Sequence, residues 1–302
     1  MVAADQCGVA GEDYLPALVT PPQLFEANGK IAASQSVAEV SAFGIAGWLV
    51  QIFTAPIAIL VDAITFVASA GFIARIGTPE ITAEPTTDRR TMLREIREGL
   101  QILARDPTLR AIAASVAALE FAFGVIGTVI SLYALRELGI KPGPLGLIYA
   151  VGGVASLVAA LLARRVTAVG GVRRTMVGGL LLTAGGMFLL PLAHGAGLLA
   201  FGLLTAQQVI GDGGATIFEI NQSSLRQAIA PVRALGRINA GTRFAGLGAT
   251  LLGIGAAAAL GQTAGYRAAL VTGAVATLLG ALALLSSPDL RPANPVSGAT
   301  PG

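Results

Sequence analysis

The sequence predicts an all-α, polytopic membrane protein, and three observations predict it. Of its 302 residues, 54% are hydrophobic and only 12% are charged, against roughly 25% charged in an average soluble protein. That leaves too little polar surface to cover a soluble core; the mean hydropathy is +0.74, and the same composition excludes intrinsic disorder. The second observation is a set of eight apolar runs near 31–53, 55–76, 109–133, 145–163, 174–193, 197–220, 240–262 and 265–286, each close to the roughly 20 residues that a helix needs to cross a bilayer. The third is where the cations fall. When the gaps between runs are taken alternately, only Arg136, Lys141 and Arg267 of the 20 Lys and Arg lie on one side, and all the others lie on the opposite side. Positive charge marks the cytoplasmic side, so both termini are expected to be cytoplasmic.

The elements follow in order. Segment 1–30 is expected to be cytoplasmic. Its first residues carry Asp5 and have neither a basic start nor an apolar core, so no secretory signal is read there, and Cys7 is an incidental thiol. Residues 31–76 hold the first two spans. Residues 77–107 form a polar stretch with Pro79 and Pro85, followed by Leu93, Ile96, Leu100 and Leu103 at helical spacing, which predicts an amphipathic helix on the cytoplasmic face. Residues 108–287 hold six further spans. Between two of these, Arg164, Arg165, Arg173 and Arg174 crowd a short loop and act as topology determinants. Paired glycines such as Gly152-Gly153 and Gly178-Gly179 fall inside apolar runs, where they permit close helix packing. The tail 288–302, with Pro292, Pro295 and Pro301, is expected to be disordered.

An internal repeat emerges at an offset of 211 positions. It pairs Asn28 with Asn239, Gly44 with Gly255, Gln51 with Gln262 and Ala58 with Ala269, which makes the first helix pair a copy of the last pair.

Several function classes are excluded. One His and one Cys support neither a disulfide framework nor a zinc cluster. No Gly-Lys-Ser/Thr phosphate loop is present, and no Ser/His/Asp set can be built around the single His194. An enzyme is therefore not expected, and no cofactor is implied. The isoelectric point of about 9.4 comes from cations between spans, which is a topology pattern and not a nucleic-acid surface.

Two groups of phrases resemble a known family. The first is Tyr14-Leu15-Pro16-Ala17-Leu18-Val19, Gln23-Leu24, Ala27-Asn28, Ala55-Pro56 and Leu60-Val61-Asp62-Ala63 with Phe66. The second is Leu225-Arg226-Gln227, Pro231, Gly236-Arg237-Ile238-Asn239 and Arg243-Phe244. Together they resemble the major facilitator superfamily, in the bacterial branch that includes the enterobactin exporter and drug exporters. The resemblance runs from about 14 to 286. It implies eight transmembrane helices equivalent to the last eight of a twelve-helix fold, so the chain is expected to be truncated at its N-terminus. Two positions depart from the family pattern. Ala42-Phe43 stand where a Gly-Pro pair is usual, and Leu162-Ala163-Arg164-Arg165 lacks an acid before its basic pair.

Ionisable residues inside lipid are costly and default to functional candidates. Glu120 lies mid-span, with Gly124, Gly127 and Ser131 following at helical spacing. Thr205, Gln208, Asp212 and Glu219 share a second helix face. By resemblance these two helices line the transport path. Asp62 and Glu39 are further path candidates, and Arg164, Arg165, Arg173, Arg174 and Arg237 are candidates for the cytoplasmic loops and gate. The expected function is secondary active, proton-coupled export of a small amphipathic molecule, such as a drug or siderophore, across the plasma membrane. The expected partners are the lipid bilayer, that molecule and protons, with no nucleic acid. The alternative is a non-transporting membrane remnant or scaffold subunit.

Overall fold

The computed structural model describes residues 41, 42, 44–73, 89–229 and 234–286. Glu39, segment 1–30 and the tail 288–302 lie outside them. The described residues are helical apart from short connections, with no strand among them. Lipid offers no water to backbone N–H and C=O groups, so the helix satisfies them internally.

The residues divide into two compact units, one formed by 1–86 with 142–150 and the other by 87–141 with 151–302. In the first unit, α1 (Gly44–Phe53) and α2 (Ala55–Ile73) are both apolar. The first of them meets the opening turns of α5 (Pro142–Gly170). Gln51 Oε1 accepts the N–H of Gly143 at 2.9 Å, supplying a partner to one of the orphan donors at that helix start. Gly47 lies against the backbone of Pro142 and Gly146, where a side chain would not fit.

The second unit starts with α3 (Arg89–Arg105) and α4 (Pro107–Leu132). Asp106 separates them. Its Oδ1 accepts the N–H groups of Thr108 and Leu109 at 2.8 and 2.9 Å, and Pro107 follows at the first helical position, a favoured pair of start signals. A π-turn, Tyr133–Glu137, ends α4. After α5 come α6 (Val172–Leu189), α7 (Leu198–Gln207), a second π-turn at Gln208–Asp212, α8 (Gly213–Ile229), α9 (Leu235–Thr263) and α10 (Tyr266–Leu285). The core lies where α4 packs on α9 and α10, and α6 on α8 and α10. Ile112, Leu119, Met176, Leu180, Phe218 and Leu284 are all nearly inaccessible there. The amphipathic helix α3 packs on α9 and α4, and its Leu103 is buried against Leu109 and Ile238.

Among the described residues, five helices are long and apolar enough to cross a membrane: 107–137, 142–170, 172–192, 236–263 and 266–285. The run expected at 197–220 extends to Ile229 but is broken by the π-turn at 208–212, so neither piece alone reaches that length. The expected loop at 163–174 is also different. The α5 helix continues through Arg164 and Arg165 to Gly170, and the reversal falls at Gly171 with φ 76°, a conformation that glycine adopts at little cost.

The repeat reappears in the backbone. Thr54, between α1 and α2, has φ 91°, and Gly265, its counterpart 211 positions later between α9 and α10, has φ 87°. The bonds that follow also correspond, Ala58 N–H to Thr54 O and Ala269 N–H to Gly265 O. A β-branched residue in the left-handed region is strained by about 1–2 kcal/mol, while Gly loses about 0.5–1 kcal/mol of chain entropy on folding. Thr54→Gly is therefore expected to raise stability by roughly 0.5–1 kcal/mol, visible as an upward shift in the thermal melt of the detergent-solubilised chain.

Candidate functional site

The site builds outward from Glu120 on α4. Its Oε2 accepts the hydroxyl of Thr250 on α9 at 3.0 Å, and Gly246, one turn before Thr250, leaves room for the glutamate side chain. Two glycines let the helices come this close. A methyl group at Gly124 would overlap the Thr250 carbonyl, and one at Gly253 would overlap the Phe121 carbonyl. Glu120 lines an open cavity of about 450 Å³ between α4, α8 and α9. The expected stripe on α4 thus splits: Gly124 packs against α9, Gly127 has open space before it, and Ser131 is exposed.

The second expected stripe centres on the π-turn. Gln208 Nε2 donates to Asp212 Oδ2 at 3.0 Å. Gly152 of α5 faces this pair, and a Cβ there would come within 2.5 Å of both atoms. Gly186 and Gly211 meet at the crossing of α6 with the π-turn, and Gly179 and Gly214 meet at the crossing of α6 with α8. Glycines around Asp212 therefore serve both close packing and the local unwinding. Glu219, two turns further along α8, is exposed. The carboxylates singled out from the sequence thus have different settings: Glu120 is held by Thr250 on the cavity wall and Asp212 by Gln208 at the π-turn. Thr205 bonds its own helix at Phe201 O and stays apart. Asp62 is exposed on α2 in the first unit.

The cations divide by role. Arg164, Arg165 and Arg174 are exposed, and Arg173 donates to Leu285 O, tying α6 to the end of α10. Arg237 pairs with Glu98 at 2.8 Å, and Arg94 pairs with the same carboxylate, so α3 is pinned to α9. Beneath this pair Gly99 packs directly on the backbone of Arg237. The hydrogen bonds from Arg237 and then Arg94 hold the Glu98 carboxyl below its ordinary value of 4.5. A carboxylate depressed in the folded state adds stability that is complete above its unfolded pKa and is lost as pH falls through the folded value. The protection of Leu100–Leu103 against hydrogen exchange, taken relative to the unstructured rate at each pH, is accordingly expected to fall only once pH drops below 4.5, and Glu98→Gln is expected to remove that pH dependence.

Two features lay beyond sequence reasoning. At the end of the second unit that holds Glu137, Arg267 acts as a clasp. Its Nε donates to Glu137 at 2.7 Å, while its Nη atoms reach Pro191 O and Ala193 O at 2.7 and 2.8 Å, with His194 Nε2 also 2.7 Å away. Its guanidinium sits 5.7 Å from the centre of the Tyr133 ring, and the Tyr133 hydroxyl points between Leu190 O and Ala193 O. The signal available in the sequence was the rarity of cations on that side, only Arg136, Lys141 and Arg267. Arg267→Gln is expected to cost about 1 kcal/mol, a fall of about 2–4 °C in Tm, read by a thermal melt. The second missed feature is the polar lining of the Glu120 cavity, to which α8 contributes Gln222 and Arg226 and α9 contributes Asn239, Thr242 and Arg243.

No protein-family model matches the chain. It is 30% identical over 304 aligned positions to an uncharacterized MFS-type transporter of Sinorhizobium fredii, an alignment covering 96% of this chain and 70% of that protein. Two solved structures share its fold. One, a bacterial metal transporter, has a TM-score of 0.71 at 18% identity, with 89% of this chain and 67% of that one covered. The other is a bacterial homologue of the iron transporter ferroportin in an inward-facing state, with a TM-score of 0.72 at 19% identity and 90% and 65% covered. The chain thus spans about two thirds of the length of these proteins. With an all-helical bundle, apolar spans and a relative at this identity over nearly its whole length, the chain belongs to the major facilitator superfamily of membrane transporters.

Proposed function

We propose that the chain is a proton-coupled exporter of a small amphipathic molecule, in the branch that includes the enterobactin exporter and drug exporters. Its spans would correspond to the last eight helices of the twelve-helix fold. The basic side would face the cytoplasm, placing α3 on the inner surface of the plasma membrane. The observation that carries the reading is Glu120 on the wall of a cavity lined by three helices, with a second carboxylate, Asp212, paired to Gln208 at the π-turn. Carboxylates inside a membrane bundle mark ion and proton paths, and a cavity shared by several helices is where alternating access exposes a substrate. The π-turn beside Asp212 and the glycines at each crossing give α7 and α8 a place to shift. The metal cargo named for the two similar structures stays with those proteins, because 18% and 19% identity speaks for the fold alone.

The test is reconstitution of the chain into vesicles with an imposed pH gradient, using ethidium as an amphipathic cation and p-toluenesulfonate as an amphipathic anion. The reading predicts gradient-driven accumulation of at least one of them, abolished by a protonophore. Distribution identical to that in protein-free vesicles for both probes contradicts it.

A further inference from the structure

The cavity beside Glu120 has an uneven lining. Gln222 and Arg226 stand one turn apart on α8, and Asn239 and Arg243 one turn apart on α9. Val116 and Leu247 supply apolar wall. Glu120 packs at the level of Gly246 and Thr250, and Arg243, the basic residue that α9 adds to the lining, stands three positions before Gly246, about 4.5 Å along the axis. The lining therefore combines two arginines with one carboxylate.

The basic side chains are also incompletely satisfied. Arg226 Nη1 donates to Gln222 Oε1 at 3.2 Å. Arg226 Nε, however, is a buried donor with no hydrogen-bond partner among the described residues. Asn239 Oδ1 is also buried without a partner among them, and as an acceptor it would take a donor from a ligand. Buried polar groups in folded proteins are almost always paired, and an orphaned one asks for a missing partner. A guanidinium edge left open on a cavity that a second arginine also lines is suited to an oxyanion, which can accept two parallel N–H bonds. The nearby apolar wall favours a ligand with a hydrocarbon or aromatic body.

We infer that this cavity binds a small amphipathic organic anion, whose carboxylate, phosphate or sulfonate oxygens engage Arg226 and Arg243 and whose apolar body lies along Val116 and Leu247. The inference rests on the transporter reading above and narrows its substrate class. The same oxyanion chemistry occurs on the headgroup of an anionic lipid; the free small anion is the occupant assigned here, because a cavity of about 450 Å³ suits a small molecule and not a two-chain lipid.

The test is equilibrium dialysis of the full chain in a neutral detergent against radiolabelled p-toluenesulfonate, with ethidium as the cationic comparison and phosphatidylglycerol as a competitor. Saturable p-toluenesulfonate binding is expected, weakened at least about tenfold by Arg226→Gln and by Arg243→Gln, the loss of one charge-assisted contact each. Arg243→Lys keeps the charge but not the fork, and is expected to bind between the two. It also serves as the informative variant if a Gln substitution fails to fold. Three results overturn the inference: no saturable binding of the anion, binding unchanged in folded arginine variants, or binding of phosphatidylglycerol but not of the small anion. Because dialysis needs no flux, binding without vesicle transport would sink the exporter reading alone, and transport of ethidium without anion binding would sink this inference alone.

Discussion

Glu120→Gln is expected to reduce gradient-driven transport by about a hundredfold or to background, the scale of loss when a positioned proton-transfer group is removed. The substitution is chosen for what it preserves. A glutamine carbonyl can still accept the Thr250 hydroxyl that Glu120 accepts at 3.0 Å, and it occupies the same space beside Gly246. Helix packing and folding should therefore persist, with only the ability to take and release a proton removed. Thr250→Val makes the complementary change. It leaves the carboxylate but removes the donor that orients it, and transport should fall partially, with a shifted pH profile. A thermal melt of both variants close to that of the parent chain separates loss of function from loss of fold. Glu120→Gln transporting at the parent rate would remove this carboxylate from the mechanism.

Gly124→Ala is expected to be the most destabilising single-methyl change on α4. The added carbon would fall on the Thr250 carbonyl, which belongs to the rigid backbone of α9 and cannot swing aside. Gly253 meets Phe121 in the same way from the opposite helix, so the crossing of α4 and α9 has no slack on either side. In a membrane, where lipid is as apolar as leucine, such close approach is a main source of helix association. Overpacking here should cost about 3 kcal/mol, a fall in Tm of about 6–12 °C. It should also disturb transport, because Glu120 sits one turn from Gly124. Gly127→Ala on the same helix meets open space and should leave the melt unchanged or slightly raised, since alanine is the better helix former. Equal melts for the two variants would show that this crossing does not hold the bundle together.

How much of this could be read beforehand depended on whether the signal was local. Helices α4, α6 and α10 begin and end close to where hydropathy places them, because an apolar run of about 20 residues in lipid has no alternative to helix. The amphipathic helix α3 followed from the spacing of Leu100 and Leu103, and the repeat from paired positions that the backbone matches at Thr54 and Gly265. Glu120, Asp212 and Glu219 stood out because charge in an apolar run is rare. The π-turn did not, since residues 208–212 keep the same side-chain pattern whether the helix is regular or widened by one residue. Arg226 and Arg243 were counted only as charges on one side of a membrane. Such a count discards their position along the helix, and only the fold brings them to the lining of one cavity. Arg267 escaped for a related reason. Its partners lie 73 to 130 positions away in the chain, beyond any local pattern.

The central claim is that substrate movement is coupled to a proton carried by Glu120. The direct measurement follows the internal pH of vesicles loaded with pyranine while ethidium or p-toluenesulfonate, whichever the chain moves, is driven across by its own gradient. The account predicts a protein-dependent pH change that tracks the substrate flux and disappears in Glu120→Gln. Substrate crossing with no change in internal pH, or an undiminished pH change in Glu120→Gln, would contradict it.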